Sequence, residues 1–381
     1  MGSKTEALRK VSAKNINYQM LNILSEFPPL LKLRLKKRST NNKRHVLKIL
    51  IVDTCIIGDF LASLPAINVF LKRNNGVVAD IIVSPAVKPL AERIRGINQV
   101  FIAKSSYNRD IEKRNAENFN SKARIKDEYD CLIVFRISPD AYKMIKRIHY
   151  SDLITSDGHL LKFAGNIIKT SLLKKQVRQC RDISFDIIGI KPPSKIPLAK
   201  DIFRFTPQDY NNIRRIPIMR GKTKKIIMHT DSGWRGQLWD NDKWVSLIKK
   251  INSMINCRII LIGGNKKEKE SFNYIQGKID FKIYSLIGQV DLKELMLIMM
   301  KSNYFIGVDS GPRNLAHMAN LRSVSLLAPS IKDFMPQNKK DIVIDKSNPG
   351  SLGFVYNERT SSMKKITVEE VYEAYKRLVN I

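Results

Sequence analysis

The sequence predicts an α/β protein made of two doubly wound domains in tandem, and three observations support this fold class. The chain has 381 residues, which is long for a single domain. Short apolar runs recur along it, and they alternate with segments whose apolar residues have helical spacing. Strands that alternate with helices pair in parallel through right-handed crossovers, so each half predicts an open parallel sheet.

The first half of this pattern starts with a buried strand. The apolar run 46–52 is followed by the loop 53–59 and by a helix over 60–72, whose residues Leu61, Leu64 and Leu71 share one face. The remaining predicted elements are strands at 79–83, 99–102 and 129–135, a helix at 87–95, a polar excursion at 104–128, and helical patterns from 136 to about 188.

A proline-rich stretch separates this half from the next. Residues 189–223 contain five prolines among basic and polar residues, which is typical of an interdomain linker. The second alternation predicts strands at 225–229, 258–262, 282–285, 304–308 and 323–327, and helices at 242–254, 266–277, 292–302 and 313–320. The predicted division is a basic arm at 1–45, a first domain at 46–190, a linker at 191–223, a second domain at 224–365 and a C-terminal helix at 366–381.

The net charge of the chain is unusually positive. Lys and Arg number 67 against 35 Asp and Glu, which gives +32 at pH 7. Such a field attracts anionic lipid head groups, phosphorylated glycolipids or nucleic acid. The arm 1–45 mixes apolar and basic residues, as a segment on an anionic membrane surface does, although a solvated basic arm has the same composition. A nucleic-acid-binding protein is the alternative of another class, but no recognised binding motif supports it and no specific nucleic acid is expected.

Other features of the composition bear on the location of the protein, on the state of its cysteines and on metal binding. No apolar run is long enough to span a bilayer, and the N-terminus lacks the apolar core of a signal peptide, so we expect a cytoplasmic protein, peripheral on the inner face of a bacterial inner membrane. The four cysteines are far apart in the sequence, which favours reduced thiols. With five histidines and no cluster of histidines and carboxylates, the sequence predicts no metal site and no cofactor.

Three loops that follow predicted strands carry the candidate chemistry. In the first half, Gly58 and Asp59 stand where a helix starts. In the second half, the loop 229–239 and the turn Asp309, Ser310 and Gly311 are suited to an anion, because helix N-termini present unpaired N–H groups and glycine permits close approach. A carboxylate in one domain facing anion-binding loops in the other is the arrangement that an inverting sugar transfer needs. Asp59 is the candidate base, and a helix N-cap is its alternative role.

Several motifs resemble those of the glycosyltransferase family 9 heptosyltransferases. They are GDFLASLPAINVFLKRN, the loop that reaches a Trp, WVSLIKKI, IILIGGN, LIGQVDLKELMLIMMKSNYFIGVDSGPRNLAHMANLRSVSLLAPS and SSMKKITVEEVYEAYKRL. They occur in the family's order from about residue 46 to the C-terminus. The resemblance implies a GT-B fold, in which two Rossmann-like doubly wound domains face a cleft. It also implies metal-independent, inverting transfer of a sugar, typically heptose from ADP-heptose, to the inner core of lipopolysaccharide, a lipid-linked oligosaccharide acceptor.

The resemblance also assigns roles to individual residues. Asp59 would be the base, Asp309 would bind hydroxyls of the donor sugar, and Ser310 and Gly311 would bind the diphosphate. Further predicted donor-binding residues are Thr230, Ser232 and Arg235, with Gly58, Gln237, Arg313 and Asn314 as possible additions.

The chain departs from the family pattern at two points. Many members have a His shortly after the Gly-Pro, where this chain has Arg313 and Asn314. Members also often have a Lys two residues before the Trp, where this chain has Gln237, and we expect Arg235 to supply the cation instead. His229 and His317 are predicted to be structural. The alternative within enzymes is a transferase of the same fold that uses another nucleotide sugar for O-antigen or another surface polysaccharide. A dinucleotide-dependent oxidoreductase is disfavoured because no Gly-x-Gly-x-x-Gly follows any strand.

Overall fold

The computed structural model describes residues 46–74, 76–104, 125, 128–155, 167–170, 180–232, 238–327, 339–346 and 356–379. Its architecture is α/β, with two six-stranded parallel sheets that follow one another along the chain. The predicted fold class, two Rossmann-like doubly wound domains, is therefore confirmed. The basic arm 1–45, Arg235 and Gln237 lie outside the described residues, as does nearly all of the polar excursion 104–128.

The first sheet is built around its first strand. Four apolar residues fill the middle of Lys48–Asp53 (β1), and five of its six residues are buried, as the centre of a parallel sheet requires. The strand order is β3-β2-β1-β4-β5-β6. The other strands are Val78–Val83 (β2), Ile97–Ile102 (β3), Tyr129–Arg136 (β4), Tyr150–Thr155 (β5) and Ile167–Thr170 (β6). The helices are Ile57–Arg73 (α1), Lys88–Ala91 (α2), Pro139–Ile145 (α3) and Cys180–Ile187 (α4).

The second sheet repeats this order. Its strands run β12-β11-β10-β7-β8-β9, so in both sheets the first strand of the unit lies beside the fourth. The strands are Lys224–His229 (β7), Cys257–Leu261 (β8), Tyr284–Ser285 (β9), Tyr304–Val308 (β10), Arg322–Leu327 (β11) and Asp341–Asp345 (β12). After the short helices Ala199–Ile202 (α5) and Pro207–Arg215 (α6), the helices of this half are Asn241–Met254 (α7), Lys266–Gly277 (α8), Leu292–Met300 (α9), Gly311–Met318 (α10), Tyr356–Lys365 (α11) and Val368–Val379 (α12).

The sequence prediction of local structure was wrong between 136 and 188, where the expected helical patterns include the strands β5 and β6. Strand β12 and helix α11 were not predicted. The helix α1 begins three residues earlier than expected, so Gly58 and Asp59 lie inside its first turn. In contrast, the predicted capping box before α12 is confirmed, because Thr367 and Glu370 exchange side-chain to backbone hydrogen bonds.

An ionic contact links segments from both sides of the predicted linker. Both carboxylate oxygens of Asp209 on α6 accept a hydrogen bond from Arg93, Oδ2 at 2.7 Å and Oδ1 at 3.0 Å, and Nζ of Lys293 on α9 lies 3.2 Å from Oδ1. The bonds from Arg93 hold the pKa of the Asp209 carboxyl well below its usual range. The domain boundaries themselves stay a prediction.

Candidate active site

The strand order places the candidate residues at the carboxyl ends of the central strands of the two sheets. Ligands of open α/β sheets bind at the carboxyl ends of the strands, where the strand order reverses on the two sides of the central pair. That position lies between β1 and β4 in the first sheet and between β7 and β10 in the second. The strands end there at Asp53, Arg136, His229 and Val308.

The two halves meet where the helices that follow β1 and β10 begin. Gly58 and Gly311 lie opposite each other in the first turns of α1 and α10. A methyl group added at Gly58 would be 2.9 Å from Nδ2 of Asn314, and one added at Gly311 would be 3.1 Å from Cγ2 of Ile57. Only glycine permits this approach without a shift, so the two helix N-termini, each with its partial positive charge, converge on one junction.

Asn314 bridges the two halves at this junction. Its Nδ2 donates to the backbone oxygen of Gly58 at 3.2 Å, and its side chain is buried. Its Oδ1 is buried too and has no hydrogen-bond partner among the described residues. The contact explains why Gly58 and Asn314 both belong to the junction, whereas a direct contact of either with a donor stays a prediction.

Asp59 is placed at the junction by the first turn of α1. The N-cap of this helix is Ile56, so Asp59 is not a capping residue and its carboxylate is available for another role. Its side chain is 33% exposed, and its Oδ1 lies 4.0 Å from Nη2 of Arg136. The same guanidinium donates from Nη1 to the backbone oxygen of Asp59 at 3.4 Å. A partly exposed carboxylate beside a cation can accept a proton from a hydroxyl.

A second carboxylate, not predicted to have a role, lies behind Asp59. Asp53 ends β1 and is fully buried. Its Oδ2 accepts a hydrogen bond from Ser63 at 2.5 Å, and its Oδ1 has no hydrogen-bond partner within the described part of the chain. Burial raises the pKa of Asp53 to about 6, although the charge of Arg136 opposes this shift.

In the second half, a chain of hydrogen bonds links Ser310 to His229 at the end of β7, to Val308 at the end of β10 and, through His229, to Glu268 of α8. Ser310 is the N-cap of α10, and its Oγ lies 3.0 Å from Nδ1 of His229 and donates to the backbone oxygen of Val308 at 3.1 Å. The other ring nitrogen of His229 donates to Glu268 at 2.8 Å. Glu268 also accepts the backbone N–H groups of Gly264 and Asn265, at 2.6 and 2.8 Å. These contacts fix the Ser310 hydroxyl beside the first turn of α10.

The buried Glu268 carboxylate is held in its ionised form. Burial alone would raise its pKa, but the hydrogen bonds from His229 and from the two backbone N–H groups lower it below the ordinary value. His229 was predicted to be structural, and both of its ring nitrogens have partners in this chain.

The other predicted donor residues of this half lie near the same edge. Asp309 directly follows β10 and is buried, and its backbone N–H donates to Leu326 at 3.2 Å. Thr230 and Ser232 follow β7 and are buried as well, with Oγ1 of Thr230 3.5 Å from Oγ of Ser271. Their contact with a donor stays a prediction.

Arg313 occupies a different environment from the rest of the predicted site. Its guanidinium is fully buried and donates to Asp341 at 2.8 Å and to Ser325 at 2.9 Å. His317 also contacts Asp341, at 2.9 Å. These residues form a buried ionic cluster between α10 and the edge of the second sheet, so nothing in the position of Arg313 supports its predicted role in donor binding.

The described residues contain neither a metal-binding cluster nor a membrane-spanning helix. In that part of the chain, no group of three or more His, Cys, Asp or Glu residues could hold a metal ion. No helix there is both long and apolar enough to cross a membrane.

Comparison with known proteins identifies the class. The family model for glycosyltransferase family 9 (heptosyltransferase) matches residues 158–363, more than half of the chain. The chain therefore belongs to glycosyltransferase family 9, and it is a glycosyltransferase. No curated protein matches it at the level of sequence.

Solved structures with the same fold have low sequence identity. A family 9 glycosyl transferase from Veillonella parvula is 14% identical with a TM-score of 0.71, and the match covers 89% of this chain and 99% of that one. E. coli ADP-heptose lps heptosyltransferase II is 16% identical with a TM-score of 0.69, covering 88% and 99%. The iron-containing dodecameric glycosyltransferase TibC of enterotoxigenic E. coli is 12% identical with a TM-score of 0.51, covering 88% and 76%. At these identities the structures are evidence of the fold alone.

Proposed function

We propose that this protein is an inverting, metal-independent glycosyltransferase that moves heptose from ADP-heptose onto the core of lipopolysaccharide. The observation that carries the proposal is the junction of the two halves in a family 9 chain. There, the first turns of α1 and α10 approach at Gly58 and Gly311, and a carboxylate, Asp59 or Asp309, lies within two residues of each glycine. The ADP-heptose named for the similar E. coli heptosyltransferase II supports this choice of donor.

The proposed reaction is a single displacement at the anomeric carbon of the donor. Asp59 accepts the proton of the acceptor hydroxyl, and the oxygen forms a bond to the anomeric carbon from the side opposite the leaving group. The bond from that carbon to the diphosphate oxygen breaks, and ADP leaves with the electron pair. The acceptor carries the new sugar with inverted configuration, and the proton stays on Asp59 until water removes it.

The second half stabilises the departing diphosphate in this proposal. Ser310 and Gly311 present backbone N–H groups and the positive end of α10, while Asp309 accepts hydrogen bonds from hydroxyls of the sugar. Thr230, Ser232 and Arg235 complete the phosphate contacts, with Arg235 as the cation. Gly58, Gln237 and Asn314 are possible further contacts.

The membrane supplies the acceptor. A net charge of +32 favours the anionic surface on which a lipid-linked oligosaccharide is presented. We therefore propose a peripheral position at the inner face of the inner membrane, with the arm 1–45 contributing part of the attraction.

The assignment of Asp59 is tested by Asp59→Asn in a coupled assay of ADP release from ADP-heptose, with a heptose-deficient lipopolysaccharide as acceptor. Turnover should fall by about 10²-fold to 10⁴-fold, because the hydroxyl loses its base, while the affinity for ADP stays unchanged. Asp209→Asn, which breaks an ionic contact away from the junction, is the matched control and should retain turnover. Full turnover of Asp59→Asn would remove the mechanism.

The donor is tested by calorimetry with ADP, UDP, GDP, CMP and a short duplex DNA at two salt concentrations. Selective binding of ADP, with the affinity for ADP-heptose weakened by Asp309→Ala, is the expected result. Selectivity for UDP or GDP would indicate a transferase of this fold that uses another nucleotide sugar. Tight DNA binding that falls steeply with salt, without nucleotide binding, would indicate a nucleic-acid-binding protein instead.

Because the similar TibC is described as iron-containing, turnover is also measured with and without a chelator, and we expect no difference.

A further inference from the structure

The segment that leads into the second sheet is strongly basic. Residues 210–230 contain six Lys and Arg residues and no Asp or Glu. The segment runs from the end of α6, through one 3₁₀ turn at Pro217–Met219, into β7. Five of its cations are exposed, and together they form what we call the basic surface: Arg214, Arg215, Arg220, Lys222 and Lys224.

The hydrogen bonds that shape this segment go to backbone carbonyl groups. Arg220 donates to two carbonyl oxygens at the end of α6, at 3.0 and 3.4 Å. The buried Lys225 donates to two in the loop before β7, at 3.3 and 3.1 Å. Arg258 of β8 donates to the carbonyl oxygens of residues 218 and 220, the first at 2.7 Å. A carbonyl group satisfies the N–H donors but has no net charge, so the segment keeps its full positive charge.

Several exposed lysines elsewhere in the second half are neutralised by a glutamate. Lys250 lies 2.6 Å from Glu369, and Lys266 lies 3.5 Å from Glu270. In the part of the chain that the structure describes, no cation of the basic surface forms an ion pair with a carboxylate. The positive field of the basic surface is therefore not cancelled locally, and it extends into the solvent.

The basic surface lies at the edge of the second sheet opposite the candidate site. Lys224 is the first residue of β7 and His229 is the last, so roughly 17 Å separate the surface from the site. The amino ends of neighbouring parallel strands lie at the same edge, where Arg258 of β8 and the exposed Lys301 before β10 add further positive charge. A partner bound at this edge would leave the candidate site uncovered.

We propose that the basic surface binds the anionic head groups of a phospholipid membrane. Each Lys or Arg near such head groups strengthens binding by about fivefold. Among the cations, the 3₁₀ turn presents the exposed Pro217 beside the partly buried Ile216 and Met219. Apolar side chains flanked by cations are typical of protein surfaces that lie on a bilayer. The segment 211–225 contains no aromatic residue, so it lacks the groups that stack on nucleic-acid bases.

Binding of vesicles by the full-length protein tests this contact directly. Lys222→Gln with Lys224→Gln should lower partitioning onto vesicles of phosphatidylethanolamine and phosphatidylglycerol by about 20-fold in a sedimentation assay, because two cations are removed. Vesicles of phosphatidylcholine should bind neither protein. The matched control is Lys267→Gln with Lys269→Gln, which makes the same change in net charge at exposed positions of α8 and should bind as the wild type does.

The consequence of this contact for catalysis rests on the proposed function. Docking concentrates the protein on the membrane that holds the lipid-linked acceptor. Lys222→Gln with Lys224→Gln should therefore raise the KM for an acceptor embedded in anionic vesicles by about tenfold. The KM for the same oligosaccharide after deacylation, in solution, and kcat with either acceptor should stay at the wild-type values, since both lysines lie far from the site.

The outcomes separate this inference from the proposed function. If the two double variants partition onto anionic vesicles equally, or if the wild type does not bind them, the inference is overturned, whereas turnover of the deacylated acceptor would still support the proposed function. Loss of affinity for a short duplex DNA without loss of vesicle binding would indicate a nucleic-acid surface and would overturn it too. If vesicle binding falls only in Lys222→Gln with Lys224→Gln but the wild type transfers no sugar to either acceptor, the membrane contact stands and the proposed function fails.

Discussion

Two buried carboxylates, Asp341 in the second half and Asp53 in the first, are surrounded very differently. Asp341 lies among the Arg313 guanidinium, His317 and the hydroxyls of Ser323 and Ser325, at distances between 2.7 and 2.9 Å. Burial alone would raise its pKa, but His317 and Arg313 hold it well below the usual range. Asp53 has one hydroxyl donor, from Ser63, and burial raises its pKa to about 6.

The difference shows how burial of the same side chain can serve two purposes. Where partners occupy both oxygens, as at Asp341, the pKa of the carboxyl is lowered, and the ionised carboxylate contacts the buried Arg313 and His317 of α10. Where one oxygen is left empty, the carboxylate titrates near neutral pH and responds to nearby charges. Perturbed carboxylates of the second kind concentrate at functional sites, and Asp53 lies behind the candidate base.

The largest loss of stability is expected from breaking the buried ionic cluster around Asp341. Asp341→Asn should lower the free energy of unfolding by about 3 to 5 kcal/mol, because it leaves the buried Arg313 guanidinium without its counter-charge. Urea denaturation followed by circular dichroism measures the change. The double variant Arg313→Met with Asp341→Leu removes both charges and should be more stable than Asp341→Asn. A double variant less stable than the single one would show that the pair itself, and not the unpaired cation, determines the loss.

Acid should affect this cluster in the opposite direction from the Asp53 site. The folded pKa of Asp341 is lowered, so its contribution to stability is present above the unfolded value of about 3.8 and is lost as the pH falls below that value. The wild type should therefore lose stability on acidification below pH 4, and Asp341→Asn should lose less of it. Equal losses in the two proteins would contradict the ionised state of Asp341.

A smaller effect of opposite sign is expected at Asp53. Its folded pKa is raised from 3.8 to about 6, so the stabilising effect of its neutral form is present below the unfolded pKa and is lost as the pH rises through 6. Two pKa units correspond to about 3 kcal/mol. Asp53→Asn should equal the wild type in free energy of unfolding near pH 4 and exceed it by up to that amount at pH 7. A variant that is less stable than the wild type at pH 7 would contradict this account.

The smallest change in free energy of unfolding is expected from removing a serine that donates to one of the two carboxylates. Ser63→Ala and Ser325→Ala each remove one hydrogen bond to a carboxylate, at a cost of about 1 kcal/mol or somewhat more. Ser325→Ala also removes the acceptor of Arg313 Nε, so its cost is the larger of the two. The loss in Ser63→Ala should grow between pH 5 and pH 8, because the bond favours the ionised form of Asp53. The loss in Ser325→Ala should stay constant over this range, since Asp341 is already ionised. Parallel pH profiles of the two variants would erase the distinction.

The sequence predicted the sheet centres well and the margins poorly. Apolar runs located β1, β4, β7 and β10 because strands buried on both faces have few alternatives. It missed β5, in which Ser151 and Asp152 interrupt the apolar pattern, and β6, which has only four residues. It also missed β12, a strand of five residues at the edge of the second sheet. Helix α11 was missed because its residues are mostly polar and lack an apolar stripe.

The candidate site was predictable only where the evidence is local in the sequence. A helix start after a strand is visible in the sequence, so Gly58, Asp59 and the turn Asp309, Ser310 and Gly311 could be selected. Arg136 lies 77 residues from Asp59, and no spacing rule joins them. The sequence predicts Asp53 as the first residue of a loop, because it does not show how completely Asp53 is buried or that Oδ1 has no hydrogen-bond partner among the described residues.

The approach of Gly58 to Gly311 has a consequence for how the two halves stay together. Two helix N-termini with like partial charges repel each other when they converge, and an anion between them attracts both. A diphosphate bound between the two helix N-termini would contact both halves and would therefore hold them together. We expect their unfolding to be more cooperative with ADP than without it, so that thermal transitions that are broad or separate in the free protein merge into one when the nucleotide is bound.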